Sequence, residues 1–266
     1  MPPRSANITV MIQAAYKAAR SLVRDFGEVE NLQVSRKGPA DFVTAADIKA
    51  EKVLRQELGR ARPGYAMLLE EGGAVAGSTP EHRWIVDPLD GTLNFLHGIP
   101  HFCISIGLES AGEMVAGVIY DPLRDELFHA EKGNGAYLND HRMRVSSRSR
   151  MIESVIATGM PSAGHDHLDD YRAQLALIMA QSASVRRMGA AALDLAYVAA
   201  GRYEGFWEPA LSPWDIAAGI VILREAGGYV TAFDGGEVSL DDGDVLAAND
   251  RLHGELKSLL ANAKAG

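Results

Sequence analysis

Between Phe102 and Val145 the chain is cut into short apolar runs by evenly spaced turn signals, and no other feature restricts the fold as much. The runs Phe102–Leu108, Met114–Tyr120, Glu126–Ala130 and Ala136–Leu138 have the length and content of strands. Ala111-Gly112-Glu113, Asp121-Pro122, Lys132-Gly133-Asn134-Gly135 and Asn139-Asp140 separate them, and each carries turn residues. An antiparallel meander is therefore expected.

The flanks read differently. Ile8, Met11, Ile12, Ala15, Ala19, Leu22, Val23 and Phe26 recur at helical spacing, giving an amphipathic helix that stops at Gly27. Residues Ser35 to Asp41 read as a polar connector with two adjacent cations, Arg36 and Lys37. Thr44 then caps a second helix, with Asp47 three residues on as in a capping box. After Arg150 the pattern alternates. Strands are expected near Ser154–Thr158, Ala183–Met188, Tyr203–Trp207, Tyr229–Phe233 and Val245–Ala248. Helices are expected over His167–Gln181, Ala191–Ala200, the stretch after Pro213 and Leu252–Ala261. The basic, serine-rich segment Arg142 to Arg150 reads as a junction between lobes. The expected class is mixed α+β, as a layered αβαβα sandwich. An N-terminal α+β lobe (1–148) holds an antiparallel sheet, a C-terminal α/β lobe (149–266) holds a second, mixed sheet, and the two form one compact unit.

Two strand ends carry acids. Trp84-Ile85-Val86 runs into Asp87-Pro88-Leu89-Asp90-Gly91-Thr92, and Tyr65 to Leu69 runs into Glu70-Glu71-Gly72-Gly73. An apolar run that ends on carboxylates brings charge to where a buried strand leaves the core. Pro88 is expected to stop strand pairing and Gly91 to allow a sharp turn. Thr92 then stands in the first turn of a helix, whose free N–H groups attract anions. Carboxylates gathered from adjacent strands without a cation would be costly, so a hard cation and a phosphate suit this stretch. Further on, Asp215 falls in the first turn of the helix after Pro213, where the helix dipole favours a carboxylate.

Composition narrows the function classes. A net charge of −9 argues against a broad nucleic-acid or anionic-membrane surface. The single cysteine, Cys103, excludes an internal disulfide and a cysteine-rich metal site, and reads as a small buried hydrophobe. His165 and His167 flank Asp166 in a polar loop, an exposed cap region rather than a metal cluster. No apolar signal core opens the chain and no stretch approaches membrane-spanning length, which points to a soluble, cytoplasmic protein.

Four motifs, in order, carry a family resemblance: Asp41-Phe42-Val43-Thr44-Ala45-Ala46-Asp47, Glu70-Glu71, Asp87 to Phe95, and Trp214-Asp215-Ile216-Ala217-Ala218-Gly219. With these the chain resembles the inositol monophosphatase family of Mg²⁺-dependent, lithium-sensitive phosphatases. The resemblance implies hydrolysis of an inositol monophosphate by in-line attack of a metal-activated water, with two to three Mg²⁺ per site. It implies that Glu70, Asp87 and the Leu89 carbonyl bind one ion, and that Asp87, Asp90 and Asp215 bind the second. A third, weaker ion would lie near Glu70. Thr92 and Asp47 would form the dyad that orients and deprotonates the water. The N–H groups of Gly91 and Thr92 would take phosphate oxygens. Substrate hydroxyls would meet Asp90, Ala190, Ala191 and Glu208, and Lys37 would sit on a mobile loop. Members are usually homodimers. An all-oxygen ligand set suits Mg²⁺ better than zinc or copper.

Competing readings separate on residues. Leu89-Asp90-Gly91-Thr92 also resembles the haloacid-dehalogenase motif, but the nucleophilic aspartate needed there is Pro88 here. Histidinol phosphate is an alternative substrate within the same superfamily. A role as a partner in RNA processing or transcription is the non-enzymatic alternative, and the acidic total charge argues against direct RNA binding.

Overall fold

The expected alternation of elements is present in the computed structural model. It describes residues 4–28, 34–38, 41–160 and 168–263, with 34–38 and 41–43 described by backbone alone. Helix α1 (Ala6–Phe26) is capped by Ser5, whose hydroxyl accepts the Ile8 N–H. Within the expected connector, residues 35–38 and 41 lie on strands: β1 (Val34–Gly38) pairs antiparallel with β2 (Asp41–Thr44), which runs directly into α2 (Ala45–Ala61). Lys37 therefore lies on a strand rather than in a loop, and its side chain is outside the described set. His165, Asp166 and His167 also lie outside the described residues.

The large sheet has eight strands in the order β10-β9-β8-β7-β6-β5-β3-β4. They are β3 (Tyr65–Leu69), β4 (Gly73–Val75), β5 (Thr79–Asp90), β6 (Cys103–Ser110), β7 (Glu113–Asp121), β8 (Glu126–Glu131), β9 (Gly135–Leu138) and β10 (His141–Arg142). From β6 to β10 this is the expected meander, and β5 adds to it antiparallel to β6. One pairing departs from a wholly antiparallel sheet: β3 runs parallel to β5. The chain turns back through the short edge strand β4 before entering β5 on the other side of β3. The parallel register sets Leu69 opposite Val86, so Glu70, just past the end of β3, lies beside Asp87 of β5.

The second sheet is mixed, as expected, with five strands in the order β12-β11-β13-β15-β14. These are β11 (Val155–Thr158), β12 (Ser184–Arg186), β13 (Gly205–Glu208), β14 (Tyr229–Thr231) and β15 (Val245–Ala248). Around and between the sheets lie α3 (Thr92–Leu96), α4 (Leu168–Gln181), α5 (Ala191–Ala199), α6 (Pro213–Glu225) and α7 (His253–Ala263). One core joins α1 and α2 to the large sheet. A second puts the apolar faces of α5 and α6 between the two sheets, and a third joins α4 and α7 to the small sheet. The layers are thus α–β–α–β–α. Because α6 packs directly on the large sheet, residues from late in the chain reach the ends of early strands. Among the described residues no helix is long and apolar enough to cross a membrane.

Candidate active site

Strand β5 does not stop at Pro88. It continues to Asp90 across a bulge, with Asp87 opposite Ser105 and Asp90 opposite Cys103. Pro88 is tolerated because a bulge frees the residue from donating to the ladder. The bulge also reverses the usual alternation. Residues three apart on a regular strand face opposite sides, and one extra residue brings Asp87 and Asp90 to the same side. The Asp87 carboxylate accepts the Leu89 N–H at 2.8 Å, which holds the bulge in shape.

Gly91, at φ 94°, turns the chain into α3, which begins with Thr92. The short helix is anchored from behind by Phe95, whose ring lies 5.0 Å from Phe102 and 5.5 Å from Phe26. Aromatic pairs of this kind are worth about 0.5–1.5 kcal/mol beyond their burial. The Thr92 hydroxyl faces two acceptors at 3.1 Å, the Asp47 carboxylate and the Leu89 carbonyl. Asp47 is fully buried and completes the capping box of α2, taking the Thr44 N–H at 2.9 Å and the Thr44 hydroxyl. Its capping role and its contact with Thr92 use different oxygens, so Asp47 makes both contacts at once.

Asp215 arrives from the other half of the chain. It caps the start of α6 by accepting the Ser212 N–H at 2.8 Å. Helix α6 sits tightly on the large sheet. A Cβ on Gly117 would lie 2.4 Å from the Ala218 carbonyl oxygen, and the Ser105 hydroxyl donates to the Trp214 carbonyl at 3.1 Å. Asp87, Asp90 and Asp215 each offer an oxygen within 4.8 Å of the others.

Asp90 is tied to α5 as well. That helix starts at Ala190, which has no side chain to cap it. The Asp90 carboxylate takes this role from across the molecule, accepting the Ala192 N–H at 2.9 Å. An N-terminal cap is worth about 1 kcal/mol, and the helix dipole favours the charge. Cys103 is buried as expected, but it does more than fill space: its thiol faces the same Asp90 oxygen at 3.6 Å.

Glu208 ends β13 on the far wall. Its carboxylate lies against the backbone of Gly159, where a Cβ would come within 1.6 Å of Oε1. Burial first, and then the charge of Asp90, push Glu208 up to about 8, while the Arg187 guanidinium acts in the opposite direction. Asp194, one turn into α5, is also buried, and one of its oxygens has no hydrogen-bond partner. Burial and the Glu208 charge raise it well above the carboxylate range.

Every leading influence on Asp87 raises its pKa: burial first, then Glu70, Asp90 and Asp215. Burial likewise raises Asp90 to about 6, against the N–H groups of α5, and raises Asp215 well above its ordinary value. Like charges so close in a buried site resist ionisation together. A hard divalent cation would relieve the repulsion, and a set made only of carboxylate oxygens is the donor chemistry such ions take. Glu70, beside Asp87, extends the set.

This has a measurable consequence for stability. Groups whose folded pKa is raised favour folding fully only below their unfolded values, and that contribution is lost as pH rises through the folded values. Without divalent cations, Tm should therefore fall between about pH 6.5 and about pH 8.5, and added Mg²⁺ should restore it most at the higher pH. Buried His101 is depressed to about 4 and holds no proton in that window. Thermal melts in EDTA and in Mg²⁺ test this, and an EDTA Tm independent of pH would contradict the charge crowding.

The structure brings together Asp47, Glu70, Asp87, Asp90, Thr92 and Asp215, with Leu89, Gly91, Ala190, Ala191 and Glu208 around them. Glu51, Cys103, Gly159, Arg187 and Asp194 were not anticipated as neighbours of this site. Only Glu51 left a trace in the sequence, four residues after Asp47 and so on the same helical face. The others meet the site through tertiary packing.

The profile described as "Inositol monophosphatase family" matches residues 5–265. A protein named inositol-1-monophosphatase from Mesorhizobium japonicum is 59% identical over 247 residues, 93% of each chain. A Pseudomonas aeruginosa protein named Nus factor SuhB is 41% identical over 248 residues, 92% of each chain. Among solved structures, the extragenic suppressor protein suhB of Bartonella henselae superimposes with a TM-score of 0.94 at 55% identity. That match covers 96% of this chain and 98% of the other.

Proposed function

Because this chain belongs to the inositol monophosphatase family, we propose that it is a Mg²⁺-dependent phosphomonoesterase that hydrolyses myo-inositol 1-phosphate to inositol and phosphate. The observation that carries this reading is the convergence of Asp87, Asp90 and Asp215 within 4.8 Å beside the Thr92–Asp47 pair. Glu70, Asp87, the Leu89 carbonyl, Asp90 and Asp215 would hold the ions. Bound Mg²⁺ would supply Lewis-acid stabilisation of the phosphoryl and leaving oxygens and make water more acidic.

The chain's own residues do the rest. The N–H groups of Gly91 and Thr92 open α3, ahead of the helical ladder, and receive phosphoryl oxygens. The Thr92 hydroxyl accepts a hydrogen bond from the attacking water while donating to Asp47, whose carboxylate takes up positive charge as the proton moves. Asp90, Glu208 and the Ala190–Ala191 start of α5 line the side where the leaving alcohol's hydroxyls bind. Direct transfer to water requires no serine, cysteine or histidine nucleophile.

Gly159→Ala tests the leaving-group side. The new methyl group cannot coexist with the Glu208 carboxylate in its present place. KM for inositol 1-phosphate should rise about tenfold, with a smaller change in kcat, as for lost binding common to ground and transition states. Unchanged steady-state constants would remove Glu208 from the substrate pocket.

Identity to proteins named inositol-1-monophosphatase, 51–59%, exceeds that to proteins named Nus factor SuhB, 39–41%. A transcription-partner role is the second reading, favoured by the latter matches. Phosphate release from inositol 1-phosphate and histidinol phosphate under Mg²⁺, beside binding to a purified transcription complex, separates the readings. Preference for histidinol phosphate would overturn the substrate. Binding without any hydrolysis of polyol phosphates would overturn the enzyme.

A further inference from the structure

Helix α2 carries a second buried carboxylate on the face that presents Asp47. Glu51 lies one turn later, at i+4, and only 8% of it is exposed. Its Oε2 accepts the backbone N–H of Glu71 at 2.7 Å. Its Oε1 lies where a Cβ on Gly72 would come within 2.8 Å. The carboxylate thus grips the turn between β3 and β4 from beneath, at the residues that immediately follow Glu70.

Glu70 stands at the entry to this turn. It sits just past the last paired residue of β3, where its N–H donates to the Val86 carbonyl at 3.2 Å. Beyond it the chain reverses at Gly73, and the exposed strand β4 supplies little packing. The side chain of Glu70 meets the Asp87 carboxylate, so where the turn sets its backbone decides how the two carboxylates share a cation. A charge-assisted hydrogen bond at the next residue holds that backbone in place.

We infer that Glu51 is a positioning residue of this site: by accepting the Glu71 N–H it fixes the turn that aims Glu70 at the shared cation position beside Asp87. Together with Asp47, it makes α2 a two-point brace. One turn of the helix holds the Thr92 hydroxyl and the next holds the turn bearing Glu70. The role is that of groups behind a metal ligand, which commonly change metal affinity by about 10–100-fold when removed. It rests on the reading that Glu70 binds Mg²⁺.

Calorimetric titration of the full chain with Mg²⁺, without substrate, tests it. Glu51→Ala should weaken Mg²⁺ binding about tenfold or more, while kcat at saturating Mg²⁺ falls far less. Glu51→Gln keeps an acceptor oxygen and should bind Mg²⁺ close to wild type. Gly72→Ala, which pushes the carboxylate aside, should weaken binding in the same direction and decides the matter where Glu51→Ala fails to fold. Wild-type affinity in the folded Glu51→Ala protein, or in Gly72→Ala where that protein does not fold, would overturn the inference. So would a Gln variant as weak as the Ala one. Glu70→Ala is the control: unchanged affinity there would sink the Mg²⁺ role of Glu70 itself, whereas weakened binding there with normal binding in Glu51→Ala sinks only the role of Glu51.

Discussion

Asp87→Asn should lose nearly all turnover while folding as well as the wild type or better. The carboxylate is 2% exposed at the centre of Glu70, Asp90 and Asp215, and is proposed to be shared by two ions. Asparagine keeps the shape and one acceptor oxygen, so the Leu89 N–H bond that shapes the bulge can persist. It removes the charge that draws the cations together. A fall in kcat of about a thousandfold or more is expected at saturating Mg²⁺, a transition-state loss of roughly 4 kcal/mol. The same change relieves repulsion in the metal-free protein, so Tm in EDTA should rise even as activity disappears, a trade between stability and function. Wild-type-like turnover would remove Asp87 from its central place. A fall in both Tm and activity would make its role structural.

Thr92→Ala should act on rate and leave the cations in place. Its hydroxyl faces both the Asp47 carboxylate and the carbonyl of Leu89, at 3.1 Å each. Removing it leaves the water without its relay to Asp47, and positioned proton transfer contributes about 10²–10⁴-fold. A drop in kcat of about a hundredfold or more is expected, with calorimetric Mg²⁺ affinity changed only slightly and Thr92→Ser largely restored. Asp47 keeps both Thr44 donors, so α2 should remain capped. Lost Mg²⁺ affinity with a normal rate at saturation would make Thr92 a support for the Leu89 carbonyl instead.

Much of this was legible because the local signals agreed with each other. The meander from β6 to β10 follows from hairpin-length turns, the stop of α1 from Gly27 and the start of α2 from Thr44. Glu70 and Asp215 lie at the element ends where their motifs put them, while β5 runs on past Asp87 to Asp90. What stayed hidden depends on pairings that no local pattern records. The β3–β5 alignment is parallel because β4 intervenes, and only that alignment puts Glu70 beside Asp87. Pro88 reads as a strand stop, yet the bulge lets β5 continue and turns Asp90 to the side of Asp87. Ser35, Arg36 and Lys37 look like solvated linker because consecutive polar residues show no apolar alternation, yet they pair as a strand with β2. Gly159 and Asp194 carry no motif at all. They enter the site only because β11 and α5 pack beside β13.

Carboxylates from both halves of the chain are proposed to build a Mg²⁺ site that drives phosphate ester hydrolysis. The initial rate of phosphate release from myo-inositol 1-phosphate, as EDTA-stripped protein is titrated with Mg²⁺, tests this. No turnover is expected before Mg²⁺ is added, a saturable rise with it, and no rise in Asp87→Asn. Hydrolysis that proceeds equally in EDTA, or a Mg²⁺ response undiminished in Asp87→Asn, would contradict it.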